Sequence, residues 1–215
     1  MSKEYRAYYR NHELSSNYSG GLHLFFVSIV CISIIVYCVY ALDFEGFRNL
    51  QLVSIPITFI YANLVEYFAH RYPMHHKYKG FGLVYKRHTG QHHRFFDESD
   101  MVCESMEDFK IILFPPILLV FFLVGFALPI GLLLQYFLSP NIAKLFMATA
   151  VFYYLNYEIL HLSYHLPTTH FLRKISIVNT LSKLHTVHHS GDSMQKHNFN
   201  ITYPIFDFIF GTYKK

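Results

Sequence analysis

Residues 142–165 read IAKLFMATAVFYYLNYEILHLSYH: an apolar stretch of about twenty residues, near the length that crosses a bilayer, runs into Glu158, His161 and His165. Offsets of three and four put these polar groups on one stripe of a helix, where the helix leaves the apolar layer. A spanning helix that delivers paired histidines to its polar end is the unit from which the rest of the chain can be read.

Three more stretches have that length: Leu22 to Leu42, Leu50 to Ala69 and Ile111 to Leu138. At the polar end of the second, Glu66 and His70 share a helix face, and Pro73 ends or bends the helix so that His75 returns to the same point. The third contains Pro115, Pro116 and Pro129 and reads either as a broken span or as a short hairpin covered by neighbouring helices. With four crossings, the N-terminus, the segment 70–110 and the tail after His165 share one side. Sixteen of the eighteen Lys and Arg residues lie there, against Arg48 and Lys144 opposite, so that side is expected to be cytosolic.

Composition agrees with a membrane protein: 53% of the 215 residues are hydrophobic, 19% aromatic and 15% charged. The expected fold is all-α, a multipass helical bundle of about four transmembrane helices with a cytosolic helical cap. Residues 1–21 read as a cytosolic N-terminal segment and 22–215 as one membrane-embedded domain. The polar residues before the first span, with no small-residue cleavage site after it, argue against a cleaved signal peptide. The net charge of +4 favours anionic lipid and gives no reason to invoke nucleic acid. Cys31, Cys38 and Cys103 show no CxxC spacing and read as small buried hydrophobes.

Ten of the fifteen histidines fall into four clusters: His70-RYPM-His75, His88-TGQ-His92-His93, His161-LSY-His165 and His185-TV-His188-His189. Two clusters end spanning helices. The other two lie on cytosolic segments. Phe171, Ile175, Val178, Leu181 and Leu184 recur at helical spacing and predict an interfacial amphipathic helix that continues to His185, His188 and His189. Leu83 to His93 reads as a second such helix, weakened by Gly90.

Neutral imidazole binds first-row metals, and ten imidazoles exceed the four to six ligands of one ion, so two metals are expected. A centre ligated by neutral nitrogen, without thiolates, suits oxygen activation, while spacing alone leaves a hydrolytic zinc pair open. Glu66 and Glu158 are candidates to accept the second ring N–H of ligand histidines. A metal buffer would more often carry one continuous histidine tract, and a pH sensor would not need the recurrent HxxxH and HxxHH spacing. His12, His23, His76, His170 and His197 fall outside the pattern and read as structural.

These residues resemble the fatty acid hydroxylase and sterol desaturase superfamily, the membrane di-iron polyhistidine oxidases, most strongly over residues 66–213. Glu66-YFA-His70-RYPM-His75 looks like that family's first box and His88-TGQ-His92-His93 its second. Tyr157-Glu158-IL-His161-LSY-His165 and His185-TV-His188-His189 are similar to the third and fourth. The tail Asn198-FNITYPIF-Asp207-FIF-Gly211-Thr212-Tyr213 resembles the family's closing phrase, and Leu113-Phe114-Pro115-Pro116 is similar to a phrase of its 2-hydroxylase branch.

The resemblance implies two Fe ions, with Zn sometimes present in purified material, held by His70, His75, His88, His92, His93, His161, His165, His185, His188 and His189. It implies an oxidoreductase that uses O2 on an unactivated C–H bond of a fatty acyl chain or related lipid. Hydroxylation is the leading expectation; desaturation of a sterol or other lipid is the alternative within the same chemistry, and a non-catalytic metal- or lipid-binding membrane protein the alternative of another class. Leu166 after His165, Glu158 where Asp is common, and Arg94-FFDES after the second box depart from the 2-hydroxylase branch and bear on the substrate class. Neither an HPGG-type haem module nor a GxGxxG fingerprint occurs, so the electron donor is expected to be separate, cytochrome b5-like or a ferredoxin with its reductase. The expected location is a bacterial inner membrane or the endoplasmic reticulum, with the metal site on the cytosolic face.

Overall fold

A computed structural model describes residues 2–215. Among them the regular structure is helical, with one isolated bridge between Asp97 and Asp100. The chain divides into two compact units.

One unit comprises Gly21–Ala62 and Phe114–Tyr157. The helix Gly20–Tyr40 is apolar all round and leaves Phe25, Ile29, Ile32 and Val36 exposed, as a lipid-facing helix does. Its opposite face packs Val27 and Cys31 against Leu119, Val151 and Leu155. At one end of this unit Asn141 exchanges two hydrogen bonds with the Asp43 backbone, both 2.9 Å, and Gln51 donates to the Ser139 hydroxyl at 3.1 Å. Lys144 donates to the Ala41 carbonyl nearby. The segments 41–51 and 139–144 therefore lie at the same end, as expected for antiparallel helices.

Three helical stretches are long and apolar enough to cross a membrane: Gly20–Tyr40, Asn49–Met74 and Met106–Phe137. The fourth expected span forms a continuous 25-residue helix, Pro140–Tyr164, long enough but less apolar because Lys144, Asn156, Glu158 and His161 lie on it. The proline-rich stretch takes the broken form. Leu113 and Pro115 are extended, and the helix restarts at Pro116, where a missing N–H costs nothing. From there residues 116–137 stay helical without reversal. A wide π turn at Leu123–Ala127 falls where Pro129 withdraws the donor that the Gly125 carbonyl would take in an α-helix.

The other unit gathers Asn63–Leu113, Glu158–Lys215 and the N-terminal helix Ser2–His12. That N-terminal helix belongs to the unit that carries every clustered histidine. Tyr9 is buried edge-on against Phe95, with ring centroids 5.7 Å apart. A second core forms where Tyr67 meets Phe199 and Phe206. The expected interfacial helix runs Ser176–His188 and buries Val178, Leu181 and Leu184, whereas Phe171 and Ile175 precede it and are exposed. The stretch 82–95 is helical, but Lys86–His92 is wound as a π-helix.

Candidate metal centre

Four structural devices bring the histidines in. Pro73 sits in a π turn, His70–Met74, after which the chain folds back so that the His75 and His76 amides both donate to the Tyr72 carbonyl. His161 and His165 close the helix Pro140–Tyr164. His185, His188 and His189 end the helix Ser176–His188. In the π-wound Lys86–His92 segment hydrogen bonds run from residue i to i+5, and His88 and His93, five apart, come together with Nε2 atoms 3.0 Å apart.

The result is two groups of imidazoles. Ligand atoms of His70, His75, His88, His93 and His188 lie within 4.8 Å of one another, and those of His92, His165, His185 and His189 form a second such set. The tenth, His161, reaches the second set with its Nε2 3.2 Å from that of His92. Among the described residues both groups consist of histidine alone. The adjacent pairs split: His93 and His188 join one group, His92 and His189 the other. The groups abut where the His93 and His189 rings stack at 4.2 Å. Nine of the ten are no more than 4% exposed, and His93 is partly buried.

Backbone carbonyls hold the outer ring nitrogens of five of the ten histidines. The Nδ1 of His70 bonds to the Phe199 carbonyl (2.5 Å), and that of His188 to the His197 carbonyl (2.8 Å). In the other group His92 bonds to Ile111 (3.2 Å), His165 to Met101 (2.8 Å) and His189 to Phe96 (3.0 Å). Thr89 gives its hydroxyl proton to the Met74 carbonyl, so it accepts from His75 Nδ1 at 3.2 Å. Each such bond puts the proton on Nδ1 and leaves Nε2 as a lone pair pointing inward.

That assignment makes two contacts decisive. His75 Nε2 faces His188 Nε2 at 3.1 Å, and His92 Nε2 faces His189 Nε2 at 3.1 Å. In both pairs each nitrogen is an acceptor only, so no hydrogen bond joins them. A cation between the lone pairs removes the repulsion. With metal–nitrogen bonds of about 2.1 Å, neighbouring ligands of an octahedral ion sit about 3.0 Å apart and those of a tetrahedral ion about 3.4 Å. The arrangement fits two metal ions, one per group.

Burial keeps these imidazoles neutral, the form that ligates. His88, His92, His93, His165, His185 and His189 are all held well below the usual histidine range, first by loss of water and then by neighbouring imidazoles. For His188 the same desolvation brings the value down to about 4.

Glu66 bonds to the backbone one step further out from the rings. Its carboxylate accepts the Ile201 and Thr202 amides at 2.5 and 2.9 Å and the Thr202 hydroxyl at 2.6 Å, fixing the strand of chain that offers the Phe199 carbonyl to His70. Glu158 is fully buried three residues before His161. Sequence reasoning assigned no role to Asp207 beyond its motif. It accepts the Phe199 and Asn200 amides at 2.9 and 2.7 Å and the Thr212 hydroxyl at 2.7 Å. Asn198 takes the left-handed conformation (φ +56°), which asparagine tolerates, and turns the chain so that the carbonyls on either side of it serve His188 and His70. The closing motif is thus a cradle for one histidine group. The five remaining histidines lie outside both groups. Of these, His23 bonds to the Phe114 carbonyl and His12 to that of Tyr8.

A protein-family model described as fatty acid hydroxylase matches residues 55–212, well over half of the chain. Comparison with curated proteins yields no match. Among solved structures, one described as full-length scs7p with only the hydroxylase domain visible is similar with a TM-score of 0.63 at 22% identity, covering 89% of this chain and 67% of that one. At that identity the likeness concerns the fold.

Proposed function

Because this chain belongs to the fatty acid hydroxylase family, we propose that it is a membrane oxidase that hydroxylates an unactivated C–H bond of a fatty acyl chain or related lipid. The balance is C–H + O2 + 2 electrons + 2 protons giving C–OH + H2O, the electrons coming from a separate donor of the cytochrome b5 or ferredoxin type. Two iron ions, when bound, supply the activation of O2. His70, His75, His88, His93 and His188 would hold one, and His92, His161, His165, His185 and His189 the other.

The opposed lone pairs of His75 and His188, and of His92 and His189, are the observation that carries this reading. The rest of the site prepares for oxidation of an apolar substrate. The carbonyls of Phe96, Met101, Ile111, His197 and Phe199 lock ring orientation, so little reorganisation is left for the reaction. The Phe96 ring lies 4.1 Å from His165 and Phe199 packs edge-on to His70, walls that keep water from the ligands. The excess of Lys and Arg on the histidine-bearing side favours a cytosolic site, reached by lipid from the bilayer and by a soluble or anchored donor.

The test is to express the chain in a host, with and without His185→Ala, determine bound metal and profile lipids. A hydroxylated lipid that disappears with the variant supports the proposal. Loss of two hydrogens without oxygen would identify desaturation instead. Unchanged lipids with both metals bound and a working donor would leave a non-catalytic metal- or lipid-binding protein.

A further inference from the structure

Arg6, on the N-terminal helix Ser2–His12 and outside the residues that match the family, is 2% exposed. A buried guanidinium is costly unless its donors are matched, and here they are. Nε donates to the Phe95 carbonyl at 2.8 Å, Nη1 to the Val102 carbonyl at 3.1 Å and Nη2 to the Asp100 carbonyl at 2.5 Å. Asp100 and Glu104 supply carboxylate oxygens at 3.1 and 3.4 Å. Its carbon lies 5.0 and 5.1 Å from the Phe95 and Phe96 ring centres. Three points along one loop are thereby tied to one planar group.

That loop, 95–102, carries the Phe96 carbonyl that holds His189 and the Met101 carbonyl that holds His165. Both histidines belong to the same group. We propose that Arg6 is a positioning residue for the metal site of His92, His161, His165, His185 and His189, acting through the loop and leaving the other site alone. It does for this group what Glu66 and Asp207 do for the other, each by fixing the backbone that presents the carbonyls. Arg10, one turn on, bonds Asp108 through two nitrogens at 2.9 and 2.7 Å and anchors the helix that brings Arg6 in.

The inference rests on reading the two groups as metal sites. Its test is anaerobic titration of the metal-free full chain with ferrous ion, in backgrounds that leave one site each. The unmodified chain should take two equivalents; fewer would sink the two-metal reading itself. With His188→Ala, the remaining equivalent reports the site near Arg6, and adding Arg6→Lys should weaken it at least tenfold, because an ammonium cannot span three carbonyls. With His92→Ala, the remaining equivalent reports the other site, and Arg6→Lys should leave its affinity within a factor of two. Arg6→Gln should repeat the asymmetry. Weakening in both backgrounds, including failure to fold, or in neither would overturn the proposal.

Discussion

His92 and His189 meet Nε2 to Nε2 at 3.1 Å while each gives its only ring proton to a backbone carbonyl, Ile111 for one and Phe96 for the other. Two lone pairs at that separation repel each other and attract a cation, and burial leaves no water to screen them. A positive charge at this point would relieve that repulsion. The same holds for His75 and His188.

Metal removal should cost stability. An ion that binds only the folded chain stabilises it by about 4 kcal/mol at a thousandfold excess over its dissociation constant. Thermal unfolding in detergent, with and without a strong chelator, should show a clear fall in midpoint on chelation and recovery when ferrous ion or zinc is returned. An unchanged midpoint would contradict a metal role for the histidines.

Asp207→Asn and Glu66→Gln each weaken buried bonds to amides that position the Phe199 carbonyl. A loss of about 2–3 kcal/mol is expected for each, the range for a buried charged hydrogen-bond network. Metal analysis should show depletion at the group of His70 and His188 first, and equal depletion at both groups would speak against the cradle.

The histidine clusters, the spanning helices and the polar ends where they meet are visible in the sequence because hydrophobic length and three-four spacing are local properties. The partition of His92 from His93, and of His188 from His189, is not. For His92 and His93 it depends on the π winding of Lys86–His92, where hydrogen bonds span five residues instead of four, and no residue in HTGQHH announces that. Arg6 was invisible for a different reason: a charged residue in a polar terminal segment reads as surface, and its partners are carbonyls, which every residue possesses. The bonds of Glu66 go to amides 135 and 136 positions away, beyond any spacing argument.

Acid should unfold the metal-free form. His188 titrates near 6.5 in the unfolded chain and at about 4 in the folded one, so the unfolded state binds more protons between those values. Its contribution is present above pH 6.5 and is lost as pH falls towards 4, about 3 kcal/mol in all, with the other desolvated histidines adding in the same direction. Denaturant midpoints at pH 7.5, 6 and 4.5 should fall in that order; a flat profile would mean that the rings are solvated.

The end of the bundle that holds Arg48 and Lys144 should face away from the cytosol. Glu45 and Lys196 are both exposed, and the three native cysteines are buried. An impermeant thiol reagent added to intact cells should label Glu45→Cys, whereas Lys196→Cys should react only after permeabilisation. The reverse pattern would invert the topology.

The most direct test of the account is oxygen labelling. Cells expressing the chain under 18O2 should yield a lipid that carries one 18O atom at a carbon that bore hydrogen, absent from cells expressing His185→Ala. A metal-loaded, electron-supplied protein that gives no such lipid, or a hydroxyl whose oxygen comes from water, would contradict it.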